Sequence, residues 1–107
     1  ESCWNLEDLL RLAPHVQGVN LKLLKTGGLS EALLMARVAS RLGLKLMLGC
    51  YSDSALLNGA AAQLLPLVEW PDLDSHLNLA DDPFAGPVAQ GDLLQPSGGA
   101  GLGVRPC

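Results

Sequence analysis

The sequence predicts an α/β fold in which parallel strands alternate with helices. A strand followed by a helix recurs about every 25 residues, with strands near residues 18, 44 and 70, as in βα units. Residues 44–48 form a short, mostly apolar run that is typical of a parallel strand buried on both faces. The 107 residues are 49% apolar, which is enough to build the core of one small domain.

The first helix and strand are indicated by a cap, a proline and an apolar run. Asn5 is expected to cap a helix that Pro14 ends. The apolar stripe of this helix has helical spacing and consists of Leu6, Leu9, Leu10 and Ala13. Residues 18–24 are expected to form the first strand, which leads into a polar, glycine-rich turn.

The second helix is expected over roughly residues 30–42. Ser30 is its predicted N-cap, and Gly43 stands where a glycine commonly ends a helix. The residues expected to face the core are Leu33, Leu34, Val38 and Leu42.

The next elements are predicted in the same way. The second strand, residues 44–48, precedes a third helix that Asp53 or Ser54 caps and that runs to about Leu65. Its alanine-rich sequence leaves little polar face, so we expect this helix to be well buried. A brief third strand is expected at residues 72–74.

The composition shifts after residue 80, and this divides the chain into residues 1–80 and a tail of residues 81–107. Turn signals built from Pro, Gly, Asp and Ser recur along the tail. Residues 88–89 and 93–94 flank a Gly-Asp pair and predict a small hairpin. Residues 81–82 are interpreted as a turn.

Polar side chains occur at the carboxyl end of each predicted strand. Lys22 and Lys25 end the first strand. Residues 50–53 follow the second, and Asp72 and Asp74 mark the third. The pattern fits a small open sheet or part of a (β/α)8 barrel, which needs about 250 residues when complete. In both architectures ligands bind at this edge, so the sequence predicts a site there.

Lys22 is the candidate catalytic base. Side chains alternate along a strand, so Lys22 shares a face with Asn20 and Leu24, where an apolar residue is expected. A desolvated lysine that has lost its proton can abstract a proton from carbon. The more ordinary interpretation is a lysine whose stem packs while its ammonium reaches water. For Lys25, in the turn, a solvated loop lysine is the favoured interpretation.

Asp72 and Asp74 stand two residues apart, so both can point the same way from one strand. Two carboxylates this close repel each other unless a cation joins them, and the pair suits an ammonium group or a metal ion. A solvated strand end or a helix-capping pair explains the spacing equally well.

The composition argues against several classes of partner. The net charge of −4 and the lack of a basic stripe argue against nucleic acid and anionic membranes. No apolar run reaches the length of a membrane span. Cys3, Cys50 and Cys107 are scattered and form no paired motif, which favours a reducing, cytoplasmic location.

The sequence resembles the enolase superfamily and, within its muconate-lactonising subgroup, the dipeptide epimerases of the L-Ala-D/L-Glu type. The resemblance covers essentially the whole chain. It rests on residues 1–2 (E-S), 20–28 (N-L-K-L-L-K-T-G-G), 49–54 (G-C-Y-S-D-S), 72–74 (D-L-D) and 101–104 (G-L-G-V). The lysine strand and the D-L-D segment are specific in combination.

The resemblance implies the C-terminal portion of a (β/α)8, or modified TIM, barrel, of about three βα units plus a tail. Residues 1–80 would run from the end of strand five through strand eight, with residues 81–107 packed on the barrel or a capping domain. One Mg²⁺ per active site would be held by three carboxylates and would stabilise an enolate formed by removing the proton α to a carboxylate. Two lysines on opposite sides of the substrate would exchange that proton.

The resemblance also implies roles for individual residues. Lys22 matches the catalytic lysine at the end of the sixth strand. Asp72 and Asp74 match the pair that binds the α-ammonium group of the substrate. The loop after the seventh strand would line the substrate pocket with Cys50, Tyr51 and Ser52.

Other parts of such an enzyme are expected outside these residues. The fifth-strand metal ligand is expected immediately before Glu1, and no residue of this chain is expected to bind the metal. The capping domain, the opposing lysine and the other half of the barrel are expected as further parts, with a homo-oligomer left open. The 107 residues alone are expected to be inactive.

Three functions are therefore compatible with the sequence. The leading hypothesis is an Mg²⁺-dependent dipeptide epimerase, an isomerase acting by a two-lysine 1,1-proton transfer. The first alternative is another superfamily member, such as o-succinylbenzoate synthase or muconate cycloisomerase. A substrate without an ammonium group would have little use for Asp72 and Asp74. The second alternative is a non-enzymatic α/β interaction module with a buried structural lysine.

Overall fold

The computed structural model describes residues 1–107 and contains a three-stranded parallel sheet. The strands, in spatial order, are β1 (Gly18–Leu21), β2 (Lys45–Leu48) and β3 (Trp70–Pro71). Gly18 pairs with Lys45, and Met47 pairs with Trp70. Because all three strands are parallel, their carboxyl ends lie at one edge of the sheet.

Helices connect the strands and cover the sheet. The α-helices are α1 (Leu6–Leu12), α2 (Leu23–Thr26), α3 (Leu29–Arg41) and α4 (Ala55–Ala62). Short 3-10 turns occupy Ala13–His15, Leu65–Leu67 and Ser75–Asn78. None of the helices combines the length and the apolar character that crossing a membrane would require.

The core contains residues of the sheet and of α1, α3 and α4, and the face that α3 turns to it differs from the predicted one. The buried residues of α3 are Ala32, Met35, Ala36 and Ala39. Leu34 and Leu42, which were expected to face the core, are 45% and 49% exposed. Leu33 and Val38 are only partly buried. The three alanines are small, so the helix can lie close to the fully buried Leu21 and Leu48 of the sheet.

Strand β1 is shorter than predicted, because it ends at Leu21 and not at Leu24. The next residues form the single helical turn α2, which closes on Gly27 with a left-handed φ of 76°. Leu24 therefore lies on a helix, is 60% exposed and does not share the face of Lys22. Lys22 itself keeps an extended backbone at the N-cap of α2.

The predicted N-cap is wrong for α3 but right in position for α4. The N-cap of α3 is Gly28 and not Ser30. Ser54 occupies the N-cap of α4, but its side chain makes no capping hydrogen bond. The N–H of Ala55, the first residue of α4, instead donates a hydrogen bond to the carboxylate of Asp82 at 2.6 Å. Asp82, interpreted from sequence as part of a turn, thus also anchors α4 to the tail.

The third strand and the end of α4 also lie earlier than predicted. Strand β3 contains only Trp70 and Pro71, and the predicted strand residues 72–74 follow it. Helix α4 ends at Ala62, whereas the prediction extended it to about Leu65.

The tail forms two small antiparallel pairs. These are β4 (Phe84–Ala85) with β7 (Arg105–Pro106), and β5 (Val88–Gln90) with β6 (Leu93–Gln95). The second pair confirms the predicted hairpin, which turns through Gly91 with φ of 60°. Gly59 of α4 faces Val104 of the tail. The division at residue 80 stays a prediction.

Replacing Gly59 by alanine is expected to destabilise the protein, because the added Cβ would overlap Cγ2 of Val104. Overpacking costs about 1–3 kcal/mol, and the better helix propensity of alanine returns about 1 kcal/mol. A lower Tm in thermal unfolding checks this. Gly98→Ala is the control, since a Cβ there meets nothing within 4 Å. Equal Tm values for the two variants would contradict the expectation.

Candidate active site

The carboxyl ends of the three strands bring polar side chains together in two groups. The lysine group contains Glu1, Lys22 and Tyr51. The acidic group contains Cys50, Asp72 and Asp74. Ser52, the remaining predicted pocket residue, is exposed and its side chain makes no hydrogen bond.

The lysine group is a close triangle of contacts. Nζ of Lys22 lies 4.0 Å from the centre of the Tyr51 ring and 3.6 Å from Oε1 of Glu1. The hydroxyl of Tyr51 donates a hydrogen bond to Oε2 of Glu1 at 2.7 Å. The Lys22 side chain is only 15% exposed, so its ammonium is held mainly by these two partners.

The hydrogen bond between Tyr51 and Glu1 shifts the pKa values of both groups in opposite directions. It lowers the pKa of Glu1, because it stabilises the carboxylate. It raises the pKa of Tyr51, because it stabilises the protonated phenol. At neutral pH a negative Glu1 therefore lies beside Lys22.

Lys25 does not fit the predicted solvated loop lysine, because it is only 7% exposed. The helical turn α2 points its side chain inward, toward the segment that precedes α1. Its Nζ lies 5.9 Å from the centre of the Trp4 ring.

The acidic group consists of one thiol and two carboxylates whose ligand atoms all lie within 4.8 Å of one another. Cys50 is half-buried, and Asp72 and Asp74 are exposed. The sequence predicted that Asp72 and Asp74 point the same way from one strand. This explanation is wrong, because both residues follow β3. Their approach depends on the turn in which Asp74 takes the N-cap of Ser75–Asn78.

The acidic group does not fit Mg²⁺. This ion takes oxygen ligands in near-octahedral geometry, and a thiol is a soft ligand that suits other metals. Two carboxylates close together do suit an ammonium group, because each offers acceptors for its N–H donors.

Several residues of the site were missed from sequence. Glu1 was not expected to contact Lys22, and its other partner, Tyr51, lies 50 residues away in the chain. Asn58, Ser75 and His76 form a buried network behind the loops. A polar residue within the apolar sequence of α4 was the one signal that could have indicated Asn58.

A parallel sheet with helices between its strands and polar side chains at their carboxyl ends is an α/β unit with a candidate ligand-binding edge, and it fits a portion of a (β/α)8 barrel. A family model described as "Enolase C-terminal domain-like" matches residues 1–107. The chain belongs to this family. The predicted fold class, a portion of a (β/α)8 barrel, is confirmed.

The resemblance to dipeptide epimerases is confirmed by named relatives. A hydrophobic dipeptide epimerase from a Flavobacteria bacterium is 45% identical over 97 residues, which are 90% of this chain and 28% of the relative.

Two solved structures are similar as well. The dipeptide epimerase from Cytophaga hutchinsonii, complexed with Mg and the dipeptide D-Ala-L-Val, has a TM-score of 0.88 and 30% identity, over 99% of this chain and 31% of that one. The substrate-liganded L-Ala-D/L-Glu epimerase from Bacillus subtilis has a TM-score of 0.86 and 27% identity, over 96% and 30%. The chain thus spans less than a third of the length of these proteins.

Proposed function

We propose that this chain is the C-terminal part of a dipeptide epimerase. Such an enzyme is an isomerase that inverts the carbon α to a carboxylate by a 1,1-proton transfer through an enolate. The observation that carries the proposal is the placement of Lys22 and of the acidic group at the same edge of the parallel sheet. Similarity to enzymes named as dipeptide epimerases supports it.

Each site residue has a proposed role. Nζ of Lys22 moves the α-proton on one face of the substrate, and a lysine outside these residues serves the other face. The carboxylates of Asp72 and Asp74 bind the α-ammonium of the dipeptide. The walls of the substrate pocket are formed by Cys50, Tyr51 and Ser52.

The metal is proposed to be one Mg²⁺ per active site. The acidic group of this chain does not suit it, so carboxylates from other strands must hold it, including one immediately before Glu1. The Mg that is complexed in the Cytophaga hutchinsonii enzyme supports this part of the proposal.

The remaining partners are proposed on the same basis. An N-terminal capping domain and the other half of the barrel would complete the enzyme. Residues 81–107 would form a tail against the barrel or that domain. We propose a cytoplasmic location, to which the three free thiols of the chain are suited.

The test is α-proton exchange by the complete enzyme in D₂O with a library of dipeptides. The α-proton signal of the carboxyl-terminal residue is expected to disappear from proton NMR spectra for both epimers of a good substrate. Removal of metal by a chelator is expected to stop exchange, and Mg²⁺ to restore it. The matching dipeptide amides, which lack the carboxylate, are the control. Absence of exchange across the library would refute the epimerase; exchange that survives chelation would refute only the Mg²⁺.

A further inference from the structure

A buried polar network joins the two loops that carry the site residues, which are residues 49–54 after β2 and residues 72–74 after β3. It connects the side chains of Asn58, Ser75 and His76 with the backbone of Asp53 and the carbonyl of Pro87. Asn58 is 0% exposed, and the other side chains are at most 9% exposed. The network therefore links α4, both loops and the start of the tail in a region closed to solvent.

With one hydrogen on the His76 ring, the hydrogen bonds of this network have one consistent set of directions. The carbonyl of Pro87 can only accept, so Nε2 of His76 donates to it at 2.8 Å. Nδ1 of His76 is then the acceptor, and Nδ2 of Asn58 donates to it at 3.0 Å. The other hydrogen of that amide goes to Oγ of Ser75, also at 3.0 Å.

The hydroxyl of Ser75 uses its full hydrogen-bonding capacity. It accepts bonds from Asn58 and from the N–H of Asp53 at 3.1 Å, and it donates to the Asp53 carbonyl at 3.2 Å. Oδ1 of Asn58 has no partner. In this tautomer, turning the amide over would set that oxygen against the acceptor Nδ1 of His76.

The network reaches the proposed site from two sides. Ser75 directly follows Asp74 in the chain. On the other side, Oδ2 of Asp53 accepts a hydrogen bond from the N–H of Tyr51 at 3.2 Å. The Tyr51 ring is the surface against which Nζ of Lys22 lies at 4.0 Å.

We infer that Ser75 and Asn58 are positioning residues that fix the loop carrying Tyr51 relative to Asp72 and Asp74. They thereby set the position of Nζ of Lys22, which lies against Tyr51, relative to the ammonium site. This inference rests on the proposed function. Both residues are buried and act through the loops, without touching the substrate.

The test is Ser75→Ala in the complete enzyme, with exchange measured separately from each epimer of a substrate dipeptide. Exchange on the face served by Lys22 is expected to slow by about 10- to 100-fold, because a misplacement of about 1 Å has an effect of this size. Exchange on the opposite face is expected to change much less. Ser75→Thr, which keeps the hydroxyl, is expected to restore the rate.

A purely structural role gives a different result. Loss of folded enzyme lowers both exchange rates by the same factor and leaves their ratio unchanged, and this outcome would overturn the inference, as would an unchanged rate. Ser97→Ala is the matched control, because its hydroxyl bonds only to the Gly103 carbonyl inside the tail. If Ser75→Ala does not fold, Ser75→Cys takes its place, because cysteine is close to serine in volume and its thiol forms only weak hydrogen bonds.

Failure of the inference can be distinguished from failure of the proposed function. A wild-type enzyme that exchanges no dipeptide overturns the function, and with it the positioning role. An active wild type whose Ser75→Ala variant keeps the ratio of the two rates overturns only the positioning role. Faster backbone amide exchange at residues 51–53 in the variant is also expected, and unchanged amide exchange would count against the inference.

Discussion

Replacing Lys22 by alanine in the complete enzyme is expected to abolish α-proton exchange from one substrate epimer and to preserve exchange from the other. Each lysine of a two-base pair serves one face of the α-carbon, so loss of one base leaves the opposite face intact. Removing a general base costs about 10²–10⁴-fold in rate. Deuterium incorporation from D₂O into each epimer, followed by NMR, measures the two rates separately.

Lys45→Ala is the matched control for this experiment. Lys45 stands at the first residue of β2, remote from the carboxyl ends, and its side chain is 61% exposed beside Glu69. Its removal is expected to leave both rates unchanged. Normal exchange from both epimers in Lys22→Ala would refute the assignment of Lys22, and an equal loss from both would refute its confinement to one face.

The placement of Lys22 at a strand end could be predicted from sequence, but the length of the strand could not. An apolar run that leads into Gly27 and Gly28 indicates a strand and a turn. Whether the chain leaves the sheet at Leu21 depends on two N–H groups of α2 that bond to the Lys22 carbonyl. Those bonds compete with the hydrogen bonds that would continue the strand. The neighbouring strands decide which set forms, so the local sequence pattern does not predict it.

The site shows the same division between local pattern and tertiary contact. Asp72 and Asp74 were selected for their spacing along a strand, yet a turn brings their carboxylates together. Lys25 is buried because it lies in the helical turn α2, where the sequence predicted the end of β1 and a solvated loop. Helix α3 buries its three alanines and Met35, while its leucines stay at least partly exposed. The apolar spacing along the helix therefore did not predict which face packs against the sheet.

Replacing Asp72 and Asp74 together by asparagine is expected to raise the KM for a dipeptide and to leave the KM for an N-acetylated analogue almost unchanged. Each carboxylate that accepts from an ammonium contributes about 1.5–3 kcal/mol, so loss of one such bond raises KM about 10- to 150-fold. Asparagine keeps the size and one acceptor but removes the charge. Steady-state kinetics with both substrates measures the effect.

This comparison separates a dipeptide epimerase from superfamily members whose substrates lack an ammonium group. The exposed carboxylates of Asp72 and Asp74 lie close together beside Cys50, and an ammonium group bound between them would offset the repulsion of their charges. The N-acetylated analogue has no such cation, and wild-type enzyme is expected to bind it poorly. Asp81→Asn, which removes an exposed carboxylate outside the acidic group, is the control for net charge. Equal KM changes for the free and the acetylated substrate would mean that the aspartates stabilise the loop and do not bind the ammonium group. That result would favour a substrate without an amine.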